Sequence, residues 1–366
     1  MIPLLGEHER TAQRTLPAAV HAYYATGSGD EVAASEAEAA WRRYRFRPRV
    51  LRDVTRVDLR CTLLGSALAM PIGIAPTAFH RLANEQAEVA TIGAAGTAGA
   101  LMVVSTRASL PLEAIASAAT APWWFQVYVM RDRELTLALV LRAVAGGAAA
   151  LVLTADTPFV GVKAQVDGVR LALPDDDFLI NLSRHLGEGF DHAWATAQDP
   201  AVTFDDVAWL AAASGLPVVV KGVLRGDDAV RCLDAGAAAV IVSNHGGRQL
   251  SRALPTALAL VEVVDAVAGR APVLVDGGIR SGSDVLAALA LGADAAFVGR
   301  PVLWALTADG RPGVERCLVA LRDDLAHCMA LAGAADLGAL DADLVVDLGP
   351  PPTTPPQAVQ PGDRVE

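Results

Sequence analysis

The chain has 366 residues, with 41 acidic against 30 basic side chains and a formal net charge of −11. That balance disfavours nonspecific binding to nucleic acid or anionic membrane, and no apolar run reaches the roughly 18 residues of a membrane helix. Cys61, Cys232, Cys317 and Cys328 show neither a Cys-x-x-Cys pair nor metal-ligand spacing, so free thiols and no metal are expected. The start, Met1-Ile2-Pro3-Leu4-Leu5, lacks the basic and apolar regions of a secretory leader, and a soluble cytoplasmic protein is expected.

In chain order, an N-terminal helical segment comes first, followed by a cluster of Arg42, Arg43, Arg45, Arg47, Arg49 and Arg52. That cluster is expected to be solvated or paired within the chain. Eight short apolar runs follow, at 71–75, 101–105, 123–128, 149–154, 217–221, 239–243, 272–276 and 295–299. The first is followed by Pro76-Thr77, and each of the others closes on a polar residue or glycine. Alanine-rich helical stretches at 84–99, 133–145, 227–235, 255–267 and 282–291 lie between them.

Eight such repeats predict a closed (β/α)8 barrel rather than an open doubly wound sheet. No Gly-x-Gly-x-x-Gly turn follows an early strand. One domain is expected over 1–348, since barrels of this kind exceed 250 residues without dividing. The six prolines within 349–361 predict a disordered tail over 349–366. Residues 174–203, with Phe178, His185, Phe190, His192 and Trp194, form a long connection after the fourth run and are expected to be a lid. The two histidines have no third donor placed with them, so they are not taken as a metal pair.

Chemistry concentrates just past the carboxyl ends of the runs, where a barrel builds its active site. The sixth run ends in Ser243-Asn244-His245-Gly246-Gly247-Arg248. His245 is suited to take a proton and Arg248 to hold an anion. The loops after the seventh and eighth runs read Asp276-Gly277-Gly278-Ile279-Arg280 and Gly299-Arg300. Glycines that admit backbone N–H groups, together with two arginines, predict a phosphate-bearing ligand. Lys221 ends the fifth run; on its own it reads as a strand-end lysine or a Schiff-base candidate. Asp156, in Asp-Thr-Pro, is also a reasonable helix N-cap.

These motifs resemble the FMN-dependent L-2-hydroxy acid oxidase and dehydrogenase family, which includes glycolate oxidase, lactate oxidase and mandelate dehydrogenase. The likeness runs from about Leu16 to Leu337 and is most specific at Ser243 to Gln249. Tyr23-Tyr24, Pro76-Thr77-Ala78, Phe125-Gln126-Val127-Tyr128, Thr154-Ala155-Asp156-Thr157-Pro158, Lys221-Gly222 and Asp276 to Arg280 follow the family's order.

The resemblance implies that Pro76, Thr77 and Ala78 back the flavin, while Ser105, Gln126, Thr154 and Ser243 lie along its polar edge. Asp276, Gly277, Gly278, Arg280, Gly299 and Arg300 would hold the ribityl phosphate, and Lys221 would steady negative charge on the reduced ring. His245 would act as base with Asp156 beside it, Arg248 as carboxylate clamp, and Tyr23 and Tyr128 as substrate contacts. It further implies oxidation of a 2-hydroxy acid, O2 as acceptor because Ala78 is oxidase-like, and a homo-oligomer, a tetramer by analogy. The rival within the family passes electrons to a quinone or a carrier protein; an FMN-binding isomerase barrel has less use for this residue set.

Two departures bear on the substrate. Lys163 stands where the family normally carries an arginine of the clamp, and Arg107 stands where glycolate oxidases carry tryptophan. Lysine keeps the charge but loses the forked geometry, so the substrate is expected to differ more than the reaction.

Overall fold

The computed structural model describes residues 2–164, 180–182 and 196–349. Three helices open the chain, α1 (Pro3–Thr15), α2 (Ala18–Ala25) and α3 (Val32–Trp41), followed by the short strand β1 (Tyr44–Phe46) and the hairpin β2 (Cys61–Leu63) and β3 (Ser66–Leu68). Eight parallel strands then close a barrel: β4 (Ile72–Ile74), β5 (Leu101–Val104), β6 (Trp123–Val127), β7 (Leu151–Thr154), β8 (Val218–Val223), β9 (Ala239–Val242), β10 (Val273–Asp276) and β11 (Ala295–Val298). Each falls on one of the eight apolar runs. The barrel closes where β11 pairs with β4.

The crossover helices are α4 (Ala87–Ala98), α5 (Leu112–Ala118), α6 (Arg133–Ala145), α7 (Asp205–Ser214), α8 (Gly226–Asp234), α9 (Thr256–Val267), α10 (Gly282–Ala290) and α11 (Arg300–Ala332). α4 starts three residues later than the sequence suggests, because a turn comes first, in which Asn84 Oδ1 accepts from Gln86 N at 3.0 Å, and Ala87 enters the helix at φ +46. α11 is broken at Asp309 and Gly310, which leave helical backbone angles. A last strand, β12 (Val345–Asp347), pairs antiparallel with β1. The arginines around β1 are largely paired within the chain, Arg43 with Asp347, Arg47 with Asp343 and Arg49 with Asp341. Such exposed pairs contribute little to stability.

Strand residues alternate between two cores, as a period of two requires. Leu101 and Val103, Trp124, Val152, Val219, Ala239 and Ile241, Leu274, and Ala295 and Phe297 fill the barrel interior, joined by Leu63 and Leu68 of the hairpin. Met102 and Val104, Phe125 and Val127, Leu151 and Leu153, Val240 and Val242 face the helices. Following the inward parity to and past the ends of β5 to β11 gives Ser105, Gln126 and Tyr128, Thr154 and Asp156, Lys221, Ser243, Asp276 and Gly299. The alternation that packs the barrel therefore also aims these side chains at a common mouth.

Of the connection expected as a lid, only 180–182 and 196–203 are described. Asn181 is buried: its Oδ1 accepts from Leu112 N at 2.9 Å and its Nδ2 donates to Leu110 O at 2.9 Å, which ties the segment to the loop after β5. Phe178, His185, Phe190, His192 and Trp194 lie outside the described residues, as does the expected tail apart from Gly349. Among the described residues no helix is long and apolar enough to cross a membrane, and no group of side chains has the makings of a metal site.

Candidate active site

The mouth holds a cavity of about 460 Å³. It is walled by Pro76, Thr77 and Ala78 after β4, Ser105 and Arg107 after β5, Tyr128 after β6, and Thr157 and Lys163 after β7. Lys221, His245, Arg248, Asp276, Gly277, Gly278, Arg280, Gly299 and Arg300 complete it from the later strands, and Tyr23 closes it from α2. Among the residues expected from the sequence, Gln126, Thr154 and Ser243 are buried polar groups bonded, directly or through one another, to Ser105 and Asp276 of this wall. They form the floor.

His245 follows β9 in a tight 3-10 turn in which His245, Gly246 and Gly247 all have positive φ. For a histidine this is a strained conformation, of the kind tolerated at functional sites. The turn is fixed by Asn244, whose Oδ1 accepts from Gly247 N at 3.2 Å, and by His245 N donating to Ser243 Oγ at 3.1 Å. The ring then meets Asp156, with Nδ1 3.0 Å from Oδ1. A carboxylate on Nδ1 holds the proton there and leaves Nε2 as a proton acceptor.

Burial pushes the Asp156 carboxyl up, but the charge of His245, its hydrogen bond and the nearby Lys221 outweigh this and hold it below the usual range. The approach of the two strand ends depends on Gly222, at φ +107, where a Cβ would lie 2.6 Å from Asp156 Cβ. The same glycine sits at the register shift between Lys221 and Val223, which lengthens β8 beyond the expected 217–221.

Lys221 is buried, donating to Ser243 Oγ at 2.7 Å and pairing with Asp276 Oδ2 at 3.1 Å. Ser243 in turn donates to Asp276 Oδ1 at 2.7 Å. The Asp276 carboxylate is thus turned onto the lysine, and the groups free to meet a phosphate are the glycines and arginines beyond it. Along the opposite floor, Gln126 Nε2 donates to Thr154 Oγ1 at 3.0 Å, and Ser105 Oγ to Gln126 Oε1 at 3.3 Å. These bonds fix the direction of each dipole across three neighbouring strands.

Arg248 spends one nitrogen on the N-terminal segment: Nη1 donates to Tyr23 O at 2.6 Å, Thr26 O at 2.9 Å and Tyr24 O at 3.3 Å. Its guanidinium lies 5.1 Å from the Tyr23 ring centroid. Lys163 donates to Arg248 O and is held by a bridge between its backbone and Ser28. Burial, then Arg248 and Arg300, push the Lys163 amine down to about 7, with Asp156 pulling the other way. Arg107 donates to Thr196 O at 2.9 Å, and burial lowers its affinity for its proton. Burial also raises the Tyr23 and Tyr128 phenols, which are therefore hydrogen-bond donors at neutral pH.

The residues fit a bound phosphate ester on two counts. Arg300 donates to Tyr24 O and Gly246 O, and burial with Arg248 and Arg280 beside it pushes its guanidinium down to about 9; an anion there would relieve it. Gly278, at φ +76, packs so closely on α3 that a Cβ would lie 2.2 Å from Ala37 O, and its loop leads into α10. Arg280 is poised nearby, with Nε 3.1 Å from Glu38 Oε1.

Two residues of the quoted motifs have supporting roles that the sequence does not assign. Tyr24, beside Tyr23, is buried and donates to Phe79 O at 2.6 Å, making it a structural partner. Gln249 braces the loop after β7, donating to Asp156 O at 3.0 Å and accepting from Gly161 N at 2.9 Å. Their partners are distant in sequence, so only the fold reveals them.

A family model described as FMN-dependent dehydrogenase matches residues 12–347. The chain is 43% identical to an L-lactate oxidase of Nostoc sp., covering 93% of this chain and 97% of that protein. It is 41% identical to glycolate oxidase of Spinacia oleracea, over 91% and 92% of the two chains. A crystal structure of mandelate oxidase superposes with a TM-score of 0.86 at 41% identity, covering 93% and 97%. The chain belongs to the FMN-dependent dehydrogenase family, and its cofactor is FMN.

Proposed function

We propose that the protein oxidises an L-2-hydroxy acid to the 2-oxo acid and uses O2 as acceptor. The observation that carries this is His245, which lines one cavity with Arg248 and the glycine and arginine loops after β10 and β11 and is backed by Asp156 at 3.0 Å. The lactate, glycolate and mandelate oxidases similar to this chain support the reaction class. Bound FMN supplies the two-electron acceptor, which O2 reoxidises to give hydrogen peroxide.

Each residue then has a task. Gly277, Gly278, Arg280, Gly299 and Arg300 hold the ribityl phosphate; Pro76, Thr77 and Ala78 form one wall of the flavin site, above Ser105, Gln126, Thr154 and Ser243. Lys221, anchored by Asp276, presents its charge toward the ring. Arg248 and Lys163 hold the substrate carboxylate, while Tyr23 and Tyr128 donate hydrogen bonds to it or to the 2-hydroxyl. Nε2 of His245 removes a proton from the substrate, and Asp156 stabilises the imidazolium that results. Arg107, in the same wall, bounds the side-chain end.

Val160 of the cavity wall is exposed, as are Phe159, Val162 and Leu250, next in sequence to the lining residues Val160, Lys163 and Gln249, and a homo-oligomer that covers them is part of the proposal; a monomer by light scattering would remove that part. The reaction is tested by mixing the purified flavoprotein anaerobically with a panel of L-2-hydroxy acids, then admitting air. Bleaching by at least one acid, followed by rapid recovery with peroxide formed, is expected. Slow recovery in air would instead select a quinone or carrier protein as acceptor, and no bleaching with any acid would refute the substrate class.

A further inference from the structure

His80 is fully buried, at 0% exposure, in the 3-10 turn that leaves the loop after β4. Its Nε2 lies 2.6 Å from Thr77 Oγ1 in the cavity wall, and its Nδ1 lies 2.9 Å from Thr91 Oγ1 on α4. Behind it Glu88, also at 0% exposure, accepts from His80 N at 3.1 Å, Ser109 N at 2.9 Å and Ser109 Oγ at 3.0 Å. One buried network thus ties the loop after β4 to the loop after β5. Burial pushes the imidazole below its ordinary range, against the opposing pull of Glu88 and Thr77. In the neutral ring one nitrogen donates and the other accepts, so the two hydroxyls it meets are constrained as a pair.

Such a network is costly to bury unless every member is satisfied, and an apolar side chain would fill the same space. Its end at Thr77 is the one that reaches the cavity. Resting on the reading of Pro76 to Ala78 as the flavin wall, we propose that His80 is a positioning residue for the cofactor. It fixes the rotamer of Thr77 and the direction of its hydroxyl proton, and through them the dipole that this wall presents to FMN.

The test uses the holoenzyme and compares His80→Gln, His80→Asn, His80→Leu and Thr77→Val. Glutamine places a polar atom near the position of Nε2 and keeps the Thr77 contact; asparagine reaches only as far as Nδ1 and keeps the Thr91 contact. The readouts are the visible spectrum of bound FMN, its reduced-to-oxidised ratio at equilibrium with a reference dye, and Tm.

The ratio is expected to shift at least fivefold in the Asn, Leu and Thr77→Val variants and less than twofold in the Gln variant. Adding His80→Asn to Thr77→Val is expected to change it no further, as shared action through one bond requires. If Asn and Leu lower Tm but leave spectrum and ratio unchanged, His80 is a packing residue and the proposal fails. Equal shifts in Gln and Asn, or an unchanged ratio in Thr77→Val, overturn it as well. A wild-type protein without a flavin spectrum would refute the cofactor placement itself, and can be told apart from these outcomes.

Discussion

Replacing Asp156 by Asn isolates the charge beside His245, because the amide keeps an oxygen that can accept from Nδ1–H. At 3.0 Å and an effective dielectric of about 20, Coulomb's law gives about 5 kcal/mol for a carboxylate facing an imidazolium. The side chains retain 24% and 14% exposure, and solvent screening reduces this to roughly half, about 2–3 kcal/mol. The charged ring is formed during proton removal, so the loss falls on the barrier. At 1.36 kcal/mol per factor of ten, flavin reduction should slow about 30- to 160-fold. Anaerobic stopped-flow absorbance at saturating substrate reads this rate directly, with the apparent substrate Kd obtained from the same traces. A loss below about threefold, or one confined to Kd, would refute the assignment of Asp156 to the stabilised imidazolium.

His245→Gln should abolish turnover while FMN stays bound, and turnover above a few per cent of wild type would remove His245 as the base. Lys163 loses its proton as pH rises through about 7, so kcat/KM should fall above that pH as the clamp loses charge. Lys163→Arg should flatten that limb, and an unchanged pH profile would show that the amine does not meet the carboxylate. Arg280→Ala would remove the proposed charge-assisted bond to the phosphate and should weaken FMN binding about 10- to 100-fold by ultrafiltration; unchanged occupancy would place the phosphate elsewhere. Gly278→Ala combines φ +76 with a 2.2 Å approach to Ala37 O. It should cost about 2 kcal/mol or more, seen as a lower Tm, and an unaltered Tm would mean that α3 yields easily.

The barrel was legible because its strands are short, apolar and separated by glycine or polar stops, and every apolar run holds a strand. The inward parity of the strands from β5 to β11 accounts for the shared mouth to which the expected side chains, from Ser105 to Gly299, are turned. Asp276 is the instructive exception. Beside two glycines it reads as part of the phosphate loop, yet its parity turns the carboxylate onto Lys221, 3.1 Å away on another strand. The position of His80, and the bonds made by the motif residues Gln249 and Tyr24, were illegible for a related reason. Their significance lies in bonds to residues distant in sequence or to backbone atoms, and neither leaves a mark in the local pattern. The late start of α4 and the break in α11 at Asp309–Gly310 belong with them, since both turn on local backbone angles.

The three carbonyls of Tyr23, Tyr24 and Thr26 that gather on one nitrogen of Arg248 tie the N-terminal segment to the proposed carboxylate clamp. A chimera that exchanges the first fifty residues for those of a relative would also exchange the brace that aims the clamp. Grafting a substrate preference onto this scaffold therefore requires the segment around Tyr23 and the turn around Arg248 to move as one cassette, although 225 residues separate them in the chain.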